Sequence, residues 1–297
     1  MSDYGALKLT DRDWCNACFR HSRFQGCEYN FTNALLWGDL YRQVVACRQD
    51  LFLARIDDEA GNPRFLYPAG EGTLEDKLAV IREESGSAPL QLIAATDPLR
   101  EALDARWPGR FEYREFPGGA DYVYSVDKLA DLPGKHLHSK RNHIARFEEH
   151  YPDWRFEPVT AENLPDCCAM ADLWYEENLE REPSLAEEQP ILQYAFDHME
   201  ELELEGGLIR ADGRVLAFTL GDFITEDSYD IHFEKAFGEI QGTYPIINRE
   251  FVRYLRSRYP DLRWINREND MDLEGLRKAK LSYHPDLVMK KYLVRER

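Results

Sequence analysis

The stretch Glu234-Lys-Ala-Phe-Gly-Glu-Ile-Gln-Gly-Thr-Tyr-Pro-Ile-Ile-Asn248 reads as the end of a strand, a glycine-containing turn and the first turns of a helix. The exposed N–H groups of a helix N-terminus favour phosphate or carboxylate, Gly242 can let a ligand approach the backbone, and Pro245 suits a first helical turn. Gln241, Gly242, Thr243, Tyr244 and Asn248 are therefore candidate donor-binding residues, the alternative being a plain strand-to-helix turn. Alternation along the preceding strand puts His232 and Glu234 on one face. Either could take the proton of an attacking amine, or the two could be a cross-strand polar pair. A second polar run, Asn266-Arg-Glu-Asn-Asp270, closes the next strand at the edge where α/β sheets hold ligands, and Glu268 is a third catalytic candidate there.

Cationic groups that could hold a polyanionic donor are few and local. Arg277 and Lys280 stand three apart on a short helix, so they can share a face and clamp phosphate, with Tyr283 just beyond. The segment Gly134-Lys-His-Leu-His-Ser-Lys-Arg-Asn-His-Ile-Ala-Arg-Phe147 has four positive charges and no acid. As a helix it would present His138, Lys140, Arg141 and His143 to phosphates, or else pair with acidic surface. The contrast with its surroundings is large: the chain carries a net charge of −18, and residues 147–248 hold 25 acidic groups against 5 basic ones. Such a field repels nucleic acid and anionic membranes except where a basic segment captures them, and it could steer a cationic acceptor. Cys15, Cys18, His21 and Cys27 invite a zinc reading, but the first three also fit one apolar helix face and no second CxxC follows, so no metal is expected.

The elements that must position these residues repeat. Helices around Asp11–Phe19 and after an N-capping Thr32 precede strands at 43–48, 51–56 and 64–67. A helix capped by Thr73-Leu-Glu-Asp76 follows, then a strand at 90–95, a helix opened by Asp97-Pro98, and a hairpin of 111–116 with 122–126 around Pro117-Gly118-Gly119. After a strand at 154–158, helices at 161–180 and 187–203 are followed by strands at 207–210 and 214–223, joined by Asp212-Gly213, and by a third at 228–235. A helix at 244–259, a strand at 262–266, a helix at 273–281 and a last strand at 287–294 complete the second half. The expected fold class is α/β with mixed sheets, in two duplicated halves: residues 1–134, a basic connecting helix at 135–153, and residues 154–297. This order is the layout of the acetyltransferase (GNAT) superfamily, a fold-level analogy. The turn Gly70-Glu-Gly72 puts a carboxylate where the second half could hold an anion, so the first half is expected to be degenerate and the second active.

No apolar run approaches the ~20 residues of a membrane span, the opening residues Met1–Thr10 lack the core of a secretory signal, and six scattered cysteines suit reduced thiols. A cytoplasmic protein is expected. The runs Leu137-His-Ser-Lys-Arg-Asn-His-Ile144, Phe233-Glu-Lys-Ala236, Gln241-Gly-Thr-Tyr-Pro-Ile-Ile-Asn-Arg-Glu-Phe251, Ile265-Asn-Arg-Glu268 and Gly275-Leu-Arg-Lys-Ala-Lys-Leu-Ser-Tyr-His-Pro285 together resemble the stand-alone bacterial proteins of the phosphatidylglycerol lysyltransferase C-terminal domain family. The resemblance covers nearly the whole chain. It implies a tandem acetyltransferase-like fold, related to enzymes that move an aminoacyl group from charged tRNA to an amine or hydroxyl of a lipid or of peptidoglycan. The lysyltransferases proper carry a multi-span membrane region that has no match in these residues, and the chain is acidic, so the expectation is that the family's phosphatidylglycerol acceptor does not transfer. The expectation is an acyl- or aminoacyltransferase with no tightly bound cofactor. Aminoacyl-tRNA or acyl-CoA would be its donor, and a small molecule, peptide or lipid headgroup its acceptor. The alternative is a non-catalytic nucleotide- or tRNA-binding module that keeps the fold.

Overall fold

A computed structural model describes residues 4–297, so the first three residues of the opening segment lie outside the described residues. The chain forms α1 (Arg12–Ser22), α2 (Phe31–Gly38), β1 (Val44–Arg48), β2 (Leu51–Asp57), β3 (Pro63–Leu66), β4 (Ala69–Gly70), α3 (Leu74–Ser85), β5 (Gln91–Ala95), α4 (Asp97–Arg106) and β6 (Phe111–Glu115). It continues with β7 (Asp121–Ser125), α5 (Val126–Asp131), α6 (His138–His150), β8 (Arg155–Pro158), α7 (Leu164–Asn178), α8 (Leu185–Asp197), β9 (Glu205–Ala211), β10 (Arg214–Thr225) and β11 (Ser228–Ala236). Last come α9 (Thr243–Arg258), β12 (Trp264–Asn266), α10 (Glu274–Leu281), β13 (Leu287–Met289) and β14 (Tyr292–Glu296).

These elements fall into two compact units that are not contiguous in sequence. The first holds the residues up to Tyr122 together with Glu268–Lys278 and Leu287–Arg297, and the second holds Val123–Arg267 and Ala279–Asp286. The boundaries therefore differ from a division into 1–134 and 154–297, and the basic helix α6 belongs to the second unit. Two strands account for the difference. Residues 111–116 and 122–126 do not form the expected hairpin, because β6 pairs with β14 (Tyr292↔Glu115) while Val123–Ser125 pair with β12. β6 is exposed along most of its length and suits a sheet edge, whereas β7 is buried on both faces and needs neighbours of its own. The expected last strand at 287–294 breaks into β13 and β14, and β14 completes the sheet of the first unit.

In the first unit the strand order is β1-β2-β3-β5-β14-β6, with β4 paired to β2. β3 and β5 run parallel (Leu66↔Ile93), joined by the crossover helix α3. Thr73 starts α3 as the sequence suggests: its side chain accepts from Asp76 N, and Asp76 accepts from Thr73 N, which satisfies two orphan donors. α2 is capped two residues earlier than Thr32, by Asn30, whose side chain accepts from Asn33 N at 2.9 Å. Phe65, Leu78, Ile81, Leu92, Leu103 and Phe111 form the buried core of this unit.

The second unit repeats the design, with order β7-β12-β11-β10-β9-β8. Asp212 and Gly213, both at positive φ (48° and 73°), make the two-residue turn that joins β9 to β10. β11 and β12 are the parallel pair, and α9 is their crossover helix. Ile247, Phe251 and Leu255 recur on one face of α9 and are fully buried, each contributing about 1.5–3 kcal/mol of apolar burial. Pairing of β11 with β12 stops at Asp230↔Asn266, while β11 runs on to Ala236. Past that point β11 has no strand on that side among the described residues, and the side chains of Glu234 and Arg267 meet there.

Candidate active site in the second unit

The alternation expected along β11 is interrupted: its register with β10 steps from Leu220↔Phe233 to Gly221↔Ile231, so His232 is the extra residue of a bulge and does not share a regular face with Glu234. The two have separate partners. His232 is wholly enclosed: Nε2 lies 2.9 Å from Asp222 Oδ1 across the strand pair, and Nδ1 lies 3.8 Å from Asp230 Oδ2. With carboxylates at both ring nitrogens and no side-chain exposure, it is a buried cross-strand polar group. Glu234, one step along, accepts from Arg267 Nη2 at 2.7 Å and from Asn248 Nδ2 at 3.1 Å. Glu268, the third catalytic candidate, belongs to the first compact unit, where it accepts from Asn33 Nδ2 at 2.9 Å.

Arg267 organises the site. It is the first residue past β12, so the end of a short parallel strand delivers its guanidinium under the extension of β11. Its side chain is 11% exposed, and its charge lies 4.9 Å from the centre of the Tyr283 ring and 5.9 Å from that of Tyr124. Tyr283 in turn faces Lys140, whose Nζ lies 4.1 Å from the ring centre. Lys280 Nζ donates to the Arg267 carbonyl at 2.5 Å, and Tyr124 Oη donates to the Lys280 carbonyl at 2.7 Å, which fixes the strand end. Two polar atoms here are buried without a hydrogen-bond partner: Arg267 Nη1, a donor, and Asn248 Oδ1, an acceptor. Such atoms are uncommon in native folds, and a donor and an acceptor around one carboxylate is the pattern of a site that a polar ligand completes.

The local charge shapes the titration. Burial, and then the Arg267 charge, push the Lys140 ammonium down to about 8 against the opposing pull of Glu234. A lysine in that range is partly neutral near physiological pH and can accept a proton. Burial works against the Arg267 charge, but Glu234 outweighs it and the guanidinium is raised. Burial, and then Glu234, push the Tyr244 hydroxyl up to about 12, so this first-turn residue of α9 remains a donor.

The structure thus brings together Lys140, Glu234, Tyr244, Asn248, Lys280 and Tyr283 from the sequence-derived candidates and distributes the others elsewhere. Gly242 is needed for helix packing. It sits at φ 99°, and a Cβ there would run into the carbonyl of His143 and stand 2.8 Å from Phe147 Cβ, so α6 fills the room that a ligand was expected to use. Thr243 Oγ1 donates within the loop to Phe237 O at 2.8 Å, and exposed Gln241 accepts from Arg146 at 3.4 Å. Arg277 is not placed to clamp phosphate: it is bonded to both oxygens of Asp270 (2.8 and 2.9 Å) and to Asp272 (2.6 Å). The boundary between the compact units runs through α10, so Arg277 and Lys280 serve different units. On α6, Lys140 turns inward to Tyr283, Arg141 donates to the Leu132 and Gly134 carbonyls, and exposed His138 lies 3.2 Å from Asn142 Nδ2. His143 contributes its backbone carbonyl to the packing on Gly242.

Cys15, Cys18, His21 and Cys27 do not converge. Cys15 and Cys18 face the core of the first unit with thiols raised by burial, while Cys27 lies beside Asp121. Arg267 is the residue that the sequence left without a role. Its one signal was its place immediately past a parallel strand, within the polar run 266–270.

Two mixed sheets, each with a parallel strand–helix–strand crossover, give the chain a tandem GNAT-like fold. The model of the phosphatidylglycerol lysyltransferase C-terminal family matches residues 19–295, and the chain belongs to that family. A conserved protein of unknown function from Bacteroides thetaiotaomicron is similar over 100% of both chains at 32% identity and a TM-score of 0.90. The C-terminal domain of a putative lysylphosphatidylglycerol synthetase from Agrobacterium fabrum shares the fold at 14% identity and a TM-score of 0.66, over 98% of this chain and 93% of that one. L-PGS from Bacillus licheniformis shares it at 14% identity and a TM-score of 0.62, over 96% and 92%. No curated protein matches the chain. No helix of the described residues is long and apolar enough to cross a membrane.

Proposed function

We propose that the chain is an acyl- or aminoacyltransferase whose reaction takes place at Lys140, Arg267 and Glu234. Membership of the lysyltransferase family and the acyltransferase-like fold support this reading. The observation that carries it is the buried Arg267 Nη1, a permanent cationic donor without a partner beside a lysine that can be neutral. In this reading the lone pair of an acceptor amine or hydroxyl attacks the acyl carbonyl carbon. The carbonyl electron pair moves onto oxygen, which Arg267 Nη1 stabilises, and the acceptor's proton passes to Lys140 Nζ. Collapse of the tetrahedral adduct breaks the bond to the donor's oxygen or sulfur, and the leaving atom takes the proton back from Lys140. Glu234, held by Asn248, orients Arg267.

The donor is an activated ester or thioester, aminoacyl-tRNA or acyl-CoA, so orientation and oxyanion stabilisation supply the catalysis. Family membership favours aminoacyl-tRNA. The test incubates the purified full chain with lysyl-tRNA or with acetyl-CoA and a panel of amines, and follows donor discharge. Discharge of lysyl-tRNA that falls steeply as salt rises supports the tRNA donor, and a weak salt dependence with CoA thioesters supports the other. If neither donor is discharged, or if Lys140→Ala and Arg267→Met turn over at the parental rate, the proposal is wrong. Arg277→Ala should leave donor affinity unchanged.

A further inference from the structure

The first unit contains a pocket of about 450 Å³ that the group-transfer reading does not use. It opens beside the end of the parallel pair β3 and β5, where the sheet is broken by a bulge. Tyr292 pairs with Ala95 and Val294 with Leu92, which leaves Ile93 and Ala94 facing the single residue Leu293. Ala94 takes the left-handed conformation there (φ 53°). All three line the pocket, so the irregularity forms its wall. Bulges and left-handed non-glycine residues of this kind concentrate at sites of function.

The rest of the lining specifies a ligand. Trp37 and Tyr41 stack with ring centres 6.2 Å apart on one side, and exposed Phe116 stands at the rim. At the polar end Lys291 Nζ donates to Glu28 Oε1 and to Asp121 Oδ1, each at 2.6 Å, and approaches Cys27 Sγ at 3.5 Å. Those three acceptors use all three ammonium protons, and no other cationic residue lines the pocket among the described residues. Anions therefore find no donor charge. Carboxylates are in surplus: Glu28 and Glu268 line the pocket and Asp121 stands behind it, against one ammonium. Glu28 Oε2 is buried with no partner. Burial raises the Glu28 carboxyl, which Lys291 only partly offsets, and a second cation nearby would relieve that cost.

We propose that this pocket binds a small organic ammonium ion, a primary amine on an apolar body, with the cation toward Glu28 and Glu268 and the body against Trp37 and Tyr41. Aromatic faces and excess carboxylate both favour a cation, and the apolar remainder of the wall favours its hydrocarbon. The inference is independent of group transfer, since a chain without transferase activity would keep this pocket.

The test is calorimetric titration of the full chain with hexylamine, with 1-hexanol and hexanoate as neutral and anionic probes of equal length. Hexylamine should bind at one saturable site, at least tenfold more tightly than 1-hexanol, and hexanoate should give no saturable heat. Glu28→Gln should weaken hexylamine at least tenfold and leave 1-hexanol unchanged. Tyr41→Ala removes a half-exposed side chain that the fold can spare, and it should weaken hexylamine severalfold even if Glu28→Gln does not fold. The proposal is overturned if hexylamine does not saturate, if 1-hexanol binds equally well, or if hexylamine affinity survives in Tyr41→Ala and in any folded Glu28→Gln protein.

Discussion

The two crossovers, β3-α3-β5 in the first unit and β11-α9-β12 in the second, have the same topology and opposite chemistry. In the first, the helix start closes on itself, because Thr73 and Asp76 take each other's backbone donors. The parallel strands there, Pro-Arg-Phe-Leu and Gln-Leu-Ile-Ala-Ala, present mostly apolar side chains. In the second, α9 starts at Gly242 without a side-chain cap, and β11 carries three polar side chains, Asp230, His232 and Glu234, around a bulge at His232. The polar side chains have not made an open anion site at the helix start. Packing of α6 on Gly242 closes that route, and the groups proposed to react gather further along, around Asn248 and Arg267. In the proposed reading the location of chemistry follows from what fills the gap where a parallel pair ends. Apolar residues leave a pocket in the first unit, and an arginine held by a glutamate occupies the second.

Removing that arginine should have the largest effect. Arg267→Ala leaves Glu234 buried without its cation, which costs about 3–5 kcal/mol for a pair this enclosed. Chemical denaturation should show the loss, and the double variant Arg267→Met/Glu234→Gln should recover much of it while remaining inactive. Recovery of stability without recovery of discharge would separate the structural role of the pair from its proposed role in transfer. A double variant with parental activity would place the reaction elsewhere.

The next effect is kinetic. If neutral Lys140 accepts the acceptor's proton, discharge should climb as pH passes through about 8, the value set by burial and Arg267. Lys140→Arg, charged at every working pH, should flatten the profile and lower the rate on the order of 100-fold or more. Stability supplies an independent sign. The folded value lies below that of a free lysine, so between about 8 and ~10.4 the unfolded chain holds the extra proton and Lys140 makes stability rise with pH. A pH–rate profile unchanged by Lys140→Arg would leave the lysine a purely structural role.

Gly242 and Gly72 stand at the starts of α9 and α3. Both have positive φ (99° and 135°), but only Gly242 is pressed by another helix, while a Cβ at Gly72 would meet nothing nearer than 3.8 Å. Gly242→Ala should cost about 2–4 kcal/mol and Gly72→Ala about 1–2 kcal/mol, by thermal or chemical denaturation. Equal costs would mean that φ alone matters and that α6 yields easily. The pair also shows what a sequence can and cannot convey. The strand-turn-helix pattern, the Thr73 cap, the Asp212-Gly213 turn and the buried stripe of α9 are local signals set by neighbours in the chain. What a glycine makes room for, which acid holds an arginine, and which sheet receives β7 and β14 are decided by residues tens to hundreds of positions away. Gly242 therefore reads locally as a ligand turn and Arg277 as a phosphate clamp, whereas α6 packs on the one and Asp270 binds the other.

The self-closed start of α3 should be the least sensitive to substitution. Thr73→Ala removes one half of the reciprocal cap on α3, where Thr73 Oγ1 also donates to Asp76 at 2.7 Å. The loss should be about 1 kcal/mol, typical of an exposed N-cap, and it should fall to a few tenths in Thr73→Gly, because glycine tolerates the extended cap conformation and lets water reach the donors. Neither variant should change the discharge rate, since the cap lies in the unit that the transfer reading leaves out. A clear loss of rate in Thr73→Ala at full folded population would mean that the α3 end contributes to transfer, and the assignment of chemistry to the β11-α9-β12 crossover alone would have to be given up.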